Sequence, residues 1–254
     1  MSRPTRAIVR RPSPRIADGE VTHLARVPLD VELAHAQHHA YCELLAGLGL
    51  SLVIAPDAPE HPDGLFVEDA LVMLAGRGVL TRPGALSRRG EVDSIAPLLP
   101  RSASRCRRSP ARGPSTGAMC WSSGTEPSWV AAANQRRGHR AARAIGRPLG
   151  VEVVPMEVTG CLHLKSAVTS FPIGPSSPSR TGSTPTPFER WATWCTAPSN
   201  RAAATCCAWA TTSYCRTTHR RRRSSSPRSA SVHRLDVSEL QKIEAGVTPV
   251  SVLA

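Results

Sequence analysis

The chain has 254 residues, a net charge of +13 and a pI near 10.6, and its length is enough for one large domain or two small ones. It contains no run of 18 apolar residues, which excludes a membrane-spanning helix. The first residues are rich in Arg and Pro and lack the apolar stretch of a signal peptide, so we expect a cytoplasmic protein with no membrane partner.

The first hundred residues alternate predicted strands with predicted helices. A helix is expected over 28–48, because apolar residues recur there at helical spacing. These residues are Leu33, Ala36, Ala40, Leu44 and Leu48. The other predicted elements of this part are a strand at 6–10, a buried strand at 51–54, a strand pair at 70–74 and 78–81, and a helix at 87–98.

The later part of the chain continues this alternation in two islands. The first island is expected to contain a helix at 138–145 and strands at 151–158 and 162–168. The second island is expected to contain a strand at 232–237, a helical turn at 238–244 and a closing strand at 250–253. Strands and helices that alternate in small units are typical of the α/β class.

Two stretches, 100–131 and 170–229, differ in composition from the rest of the chain. They hold 14 Arg against two acidic side chains, and so carry +12 of the net charge of +13. All five Trp and six of the eight Cys also lie there. Their Ser, Thr, Pro and Arg content is typical of a disordered basic linker, but the concentration of Trp and Cys does not fit that interpretation.

A shift of reading frame explains the composition of both stretches. Residues 114–124, back-translated with GC-rich codons and read two bases later, give V-D-G-G-D-V-L-V-V-G, which is a glycine turn followed by a strand. Residues 199–215 also shift to a turn-and-strand sequence. We infer that 100–131 and 170–229 are out of frame, and we expect them to be disordered in this chain.

Three acidic side chains, Asp63, Glu68 and Asp69, lie where a loop feeds the strand predicted at 70–74. Carboxylates that act in pairs bind planar cations with several N–H donors best. The cluster therefore indicates a site for a guanidinium or an amidinium. The alternative is an acidic turn that only caps the strand, and these residues alone leave it open.

Four motifs in the in-frame parts resemble the dimethylargininases, the dimethylarginine dimethylaminohydrolases of the guanidino-modifying pentein superfamily. The motifs are Asp63–Asp69, Thr81–Ala85 with Ser87–Val92, Leu162–Ser166, and Val237–Leu240 with Ala245–Thr248. The match covers roughly 5–99, 132–169 and 230–254. The resemblance implies a single domain over 1–254 with a five-bladed α/β propeller of ββαβ units, an active site at its centre, and no cofactor or metal.

The resemblance also implies a hydrolase that converts N-methylated arginines to citrulline and methylamine or dimethylamine. It places substrate-binding acids at Asp63, Glu68 and Asp69, an arginine for the substrate carboxylate at Arg88, and the catalytic histidine at His163. Outside the resemblance, Arg88 is equally consistent with an exposed cation at a helix start. His163 is likewise consistent with a buried histidine bonded to backbone.

The chain departs from the family at the position that matters most for catalysis. The nucleophilic Cys is expected directly after Gly246-Val247-Thr248, where this chain has Pro249, which has no thiol. Ala132 replaces a second substrate arginine, and the acidic turn that orients the histidine falls in the out-of-frame segment 114–124. A lid near Asp18 and Gly19 is recognisable. We therefore expect this chain to be inactive.

Two other functions stay open at this point. One is a non-catalytic guanidinium binder, and the other is a basic nucleic-acid-binding protein that uses Arg-rich segments such as Arg220–Arg223. The family resemblance favours a small guanidino substrate and no nucleic acid, and it leaves a homodimer open. Metal binding by His35 and His39, and replacement of the nucleophile by Cys161, are weaker alternatives.

Overall fold

The structure is a computed structural model that describes residues 4–21, 24–74, 76–99, 104–105, 121–122, 130–132, 136–151, 153–155, 207–209, 212–216 and 231–254. Burial is described for 4–21, 24–74, 76–99, 143–151 and 233–254. The elements are β1 (Arg6–Val9), α1 (Val31–Gly47), β2 (Ser51–Ile54), α2 (Val67–Ala70), β3 (Leu71–Leu74), β4 (Arg77–Leu80), α3 (Glu91–Ile95), β5 (Ser104–Arg105), β6 (Trp121–Ser122), β7 (Val130–Ala132), α4 (Arg136–Leu149), β8 (Val153–Pro155), β9 (Cys207–Trp209), β10 (Thr212–Arg216), β11 (Ser231–Leu235), α5 (Ser238–Gln241) and β12 (Ser251–Leu253). Short 3-10 turns lie at Ile16–Asp18 and Ala96–Leu98.

The described strands form four three-stranded sheets with one shared plan. Their orders are β12-β1-β2, β3-β4-β5, β6-β7-β8 and β9-β10-β11. In each sheet the central strand has an antiparallel neighbour on one side and a parallel neighbour on the other. Along the chain, helices α1, α3 and α4 each connect the two parallel strands of one sheet, because a parallel pair requires a long crossover. Strands β12 and β1 bring the two ends of the chain together.

The predicted α/β alternation is confirmed, although several details differ. Strand β2 is not buried, because it lies at the edge of its sheet, where Ser51 and Ile54 are exposed. The helix expected from residue 87 begins only at Glu91, since residues 85–90 form hydrogen-bonded turns. The strand expected at 162–168 lies outside the described residues. Strands β5, β6, β9 and β10 fall inside the two stretches inferred to be out of frame.

Helix α1 is where it was predicted, but its buried face is different. It begins at the N-cap Asp30, whose side chain accepts a hydrogen bond from the amide of Leu33 at 3.0 Å. Leu33, expected to be apolar core, is 40% exposed, whereas polar Gln37 is buried. Gln37 can be buried because its side chain bonds both the hydroxyl of Ser238 and the amide of Glu239. Polar partners on α5 thus decide which face turns inward.

Two apolar clusters support the sheets next to the turn that carries Asp63, Glu68 and Asp69. One packs α1 and α5 against β1, and its most buried members include Val9, Ile16 and Leu240. The other lies under α2 and α3 and includes Val67, Leu71 and Ile95, each fully buried. The acidic residues of α2 are therefore carried on a well-packed base. No helix among the described residues is long and apolar enough to cross a membrane.

Candidate functional site

The three acids singled out by the sequence lie together on one short piece of backbone. Asp63 is in the turn after β2, and Glu68 and Asp69 are on the single-turn helix α2. Hydrogen bonds from the amide of Phe66 to the carbonyl of Asp63 and from the amide of Asp69 to the carbonyl of Phe66, both 3.0 Å, hold the turn. All three side chains are buried, with exposed fractions between 3% and 9%. An acidic turn on a solvated face would leave its carboxylate side chains exposed.

Arg88 inserts its guanidinium into this cluster. Its Nη1 lies 2.8 Å from Asp69 Oδ2, and its Nε lies 4.0 Å from Asp63 Oδ2. Its Nε and Nη2 each donate to one carboxylate oxygen of Glu91 at 3.0 Å. The ring of Phe66 lies 5.6 Å from the guanidinium carbon, within range of a cation–π contact. The alternative of an exposed cation at a helix start is wrong, because the side chain is only 14% exposed.

The charges of this cluster do not cancel. The carboxyl groups of Asp63, Asp69 and Glu91 all lie within 4.0 Å of the one guanidinium of Arg88, so the acids around this cation outnumber it. Burial raises the pKa of both Asp63 and Glu91, although Arg88 opposes the rise in each case. Burial by itself lowers the pKa of Arg88, but Asp69, Glu91 and Asp63 together outweigh it and raise that pKa. The cluster therefore favours a further cation.

Two carboxylate oxygens in the cluster are available to such a cation. Asp63 Oδ1 and Asp69 Oδ1 are buried and have no hydrogen-bond partner among the described residues. Buried carboxylate oxygens normally accept hydrogen bonds, so we expect a hydrogen-bond donor at each of these two oxygens. A guanidinium presents several N–H donors in one plane and suits two separate oxygens.

The segment predicted as a lid lies against Asp63. The amide of Glu20 donates to Asp63 Oδ2 at 3.1 Å, and a Cβ at Gly19 would lie 2.7 Å from Asp63 Oδ1. Only glycine permits so close an approach. The hydroxyl of Ser87 also donates to the Glu20 carboxylate. The segment thus covers one aspartate of the cluster.

Pro249 lies beside the acids although it is far from them in sequence. It occupies the turn between α5 and β12, and its carbonyl accepts a hydrogen bond from the amide of Glu68 at 3.2 Å. The packing of α2 on β12 brings the two segments together. The structure thus joins Asp63, Glu68, Asp69, Arg88 and Pro249 in one place. Proline offers no nucleophilic atom there.

Several residues considered in the sequence are not part of the described site. His163, Cys161 and Arg220–Arg223 lie outside the described residues, and Ala132 ends β7 with its side chain undescribed. His39 lies 3.4 Å from Glu43 on an exposed helix face. Where side chains are described, no group of three His, Cys, Asp or Glu is arranged to hold a metal ion.

Sequence reasoning missed two buried residues that support the site. Glu91 is 1% exposed and grips Arg88, while Arg10 is fully buried and donates to the carbonyl of Gly64 at 3.1 Å and to the hydroxyl of Ser94 at 2.7 Å. The spacing of Arg88 and Glu91, three residues apart, is a signal that could have identified the pair. Nothing local to Arg10 indicates its long-range partners.

Solved structures establish the fold class of the chain. A dimethylarginine dimethylaminohydrolase from Pseudomonas aeruginosa, a Cys-to-Ser mutant complexed with citrulline, superposes with a TM-score of 0.77 at 22% identity and covers 100% of both chains. The N-terminal domain of ArgZ, an arginine dihydrolase, superposes with a TM-score of 0.67 at 12% identity over 98% of this chain and 97% of that one. The chain therefore has the α/β fold of the pentein proteins.

Sequence relatives identify the family within that class. A dimethylarginine dimethylaminohydrolase of Streptomyces coelicolor is 38% identical over 171 residues, which are 66% of this chain and 66% of the relative. One from Pseudomonas aeruginosa is 36% identical over 89 residues, or 34% of its length. No family model matches. The chain belongs to the dimethylarginine dimethylaminohydrolase family, as the four motifs predicted.

Proposed function

We propose that this chain carries the substrate site of a dimethylarginine dimethylaminohydrolase and that its ligand is an N-methylated arginine. The observation that supports this most strongly is the excess of buried negative charge around Arg88. Buried carboxylates that lack counter-charges are costly, so a cation that enters the cluster stabilises it. The methylated guanidinium is such a cation, and Asp63 Oδ1 and Asp69 Oδ1 would accept its N–H donors.

The proposed family reaction needs a thiolate that this chain does not supply at residue 249. In that reaction a Cys thiolate attacks the guanidinium carbon, and the C–N bond to methylamine or dimethylamine breaks. The catalytic histidine, expected here at His163, protonates the departing amine. Water then hydrolyses the C–S bond of the thiouronium, which gives citrulline and frees the thiol. Loss of a covalent nucleophile costs on the order of a millionfold in rate. We infer that this chain binds the substrate and does not turn it over.

Calorimetric titration with N,N-dimethylarginine tests the proposed site. Binding by the unmodified chain should weaken about tenfold or more in Asp69→Asn, because a charge-assisted hydrogen bond to the ligand is lost. Asp57→Asn is the matched control, because Asp57 is 59% exposed and pairs with Arg11 at the surface. Its affinity should equal that of the unmodified chain. Absence of binding heat with the unmodified chain would remove the proposal.

Several broader properties remain proposals as well. We propose that 1–254 form one domain that acts without cofactor or nucleic acid. Salt-dependent retention on DNA that disappears when 100–131 and 170–229 are deleted would contradict the proposal that the chain acts without nucleic acid. A homodimer and a cytoplasmic location stay predictions, which sedimentation and cell fractionation would test.

A further inference from the structure

Glu91 contributes no substrate-facing oxygen to the proposed site, yet it makes the most complete contact with Arg88. It is the first residue of α3, and its side chain is 1% exposed. Its two carboxylate oxygens accept from Nε and Nη2 of Arg88 in two parallel hydrogen bonds of 3.0 Å each. This paired geometry is the most directional contact that an arginine makes with a carboxylate.

The pairing with Glu91 determines how Arg88 meets the two aspartates. Nε and Nη2 are engaged with Glu91, and Nη2 also donates to the main-chain carbonyl of Asp63 at 3.4 Å. Nη1 is the nitrogen that reaches Asp69, and it bonds Oδ2 at 2.8 Å. Nε remains 4.0 Å from Asp63 Oδ2, too far for a hydrogen bond. Asp63 Oδ1 and Asp69 Oδ1 are consequently left without a hydrogen-bond partner among the described residues.

Glu91 is itself held from behind by a buried arginine. The Nη2 of Arg10 donates to the main-chain carbonyl of Glu91 at 3.3 Å, and the Ser94 hydroxyl donates to the same carbonyl at 3.0 Å. The Nη1 of Arg10 donates to the carbonyl of Gly64, the residue after Asp63. One fully buried side chain therefore fixes α3 relative to the turn that carries Asp63.

We propose that Glu91 is a positioning residue that holds the Arg88 guanidinium away from the substrate-facing oxygens of Asp63 and Asp69. Without the Glu91 carboxylate, the forked donors of Arg88 would turn to the aspartates and compete with an incoming cation. Glutamine at this position would also remove one negative charge from the cluster. The inference rests on the proposed guanidinium site.

Affinities for a cationic and a neutral ligand test the role of Glu91. Glu91→Gln should bind N,N-dimethylarginine at least about tenfold more weakly and should bind neutral citrulline with less than about a threefold change. Glu60→Gln is the matched control, because Glu60 is 81% exposed and pairs with Arg15 at the surface. Unchanged affinity for dimethylarginine in Glu91→Gln would overturn the proposal. Equal losses for both ligands would indicate general damage and would overturn it too.

A measurement without ligand separates this inference from the proposed function. In ¹H–¹⁵N spectra the Nε–H of Arg88, assigned with Arg88→Lys, should exchange slowly with water and should lose that protection in Glu91→Gln but not in Glu60→Gln. If the unmodified chain bound no dimethylarginine, the proposed function would fail, and this signal alone would decide whether Glu91 holds Arg88. Protection that persists in Glu91→Gln would refute the positioning role whatever the ligand data.

Discussion

Replacing Arg88 with methionine provides a direct test of the buried charge cluster. Methionine keeps much of the side-chain length but removes the guanidinium that contacts Asp69 at 2.8 Å and both carboxylate oxygens of Glu91 at 3.0 Å. Removing one partner from a buried ion pair leaves uncompensated charge and costs about 3–5 kcal/mol of unfolding free energy. For a chain of this size that loss corresponds to a fall in Tm of roughly 10 °C.

The stability lost in Arg88→Met should depend on pH in a defined direction. Burial raises the pKa of Asp63 and Glu91, and Arg88 limits that rise, so both pKa values should be higher in the variant. A carboxyl group whose pKa is higher in the folded protein than in the unfolded chain favours the folded state as it takes up its proton. The deficit relative to the unmodified chain should therefore be largest near neutral pH and should shrink as the pH falls through the raised pKa values.

Urea unfolding followed by circular dichroism, near neutral pH and at mildly acidic pH, measures this deficit. The control is Arg11→Met, because Arg11 is 66% exposed and its pair with Asp57 should contribute no more than about 1 kcal/mol. If both variants lost equally little stability, or if the Arg88→Met deficit grew on acidification, the account of a cluster with excess negative charge would be refuted.

Three further substitutions have defined outcomes. Pro249→Cys should raise citrulline release at least about a hundredfold in a colorimetric assay, because it restores a thiol beside the acids. Gly19→Ala should weaken binding of dimethylarginine in calorimetry, because its Cβ would lie 2.7 Å from Asp63 Oδ1. His38→Gln should flatten the acid dependence of unfolding free energy. Burial lowers the pKa of His38 to about 4, so the unfolded chain binds a proton first and stability falls by about 3 kcal/mol as the pH drops from about 6.5 toward 4.

Each of these substitutions has a matched control. Pro249→Ser should stay inactive, and equal citrulline release from the serine and cysteine variants would contradict the assignment of residue 249. Gly47→Ala should leave binding unchanged, since nothing lies within 4 Å of its added Cβ. His39→Gln, at a side chain that is 75% exposed, should keep the acid dependence. An unchanged pH profile in His38→Gln would exclude His38 as its source.

Local sequence predicted many of the elements but not which of their faces are buried. The hydrogen-bonded end of α1 follows a local rule: Gly49 has φ +87°, its amide bonds the carbonyl of Ala46, and the amide of Leu50 bonds the carbonyl of Leu45. Burial along α1 does not follow a local rule, because the hydroxyl of Tyr41 and the amide of Gln37 face inward to partners on the C-terminal segment. Apolar periodicity cannot anticipate such polar contacts.

What the sequence by itself determined is the α/β alternation, the family, the acids Asp63, Glu68 and Asp69, and the proline at 249, because each is written in a short run of residues. Only the tertiary structure decided that the carbonyl of Pro249 meets the amide of Glu68 and that Arg88 lies between Glu91 and Asp69. These contacts depend on how β12, α2 and α3 pack on a shared apolar base. Packing brings together segments that are far apart in the chain, and no local sequence pattern specifies which distant segments will meet.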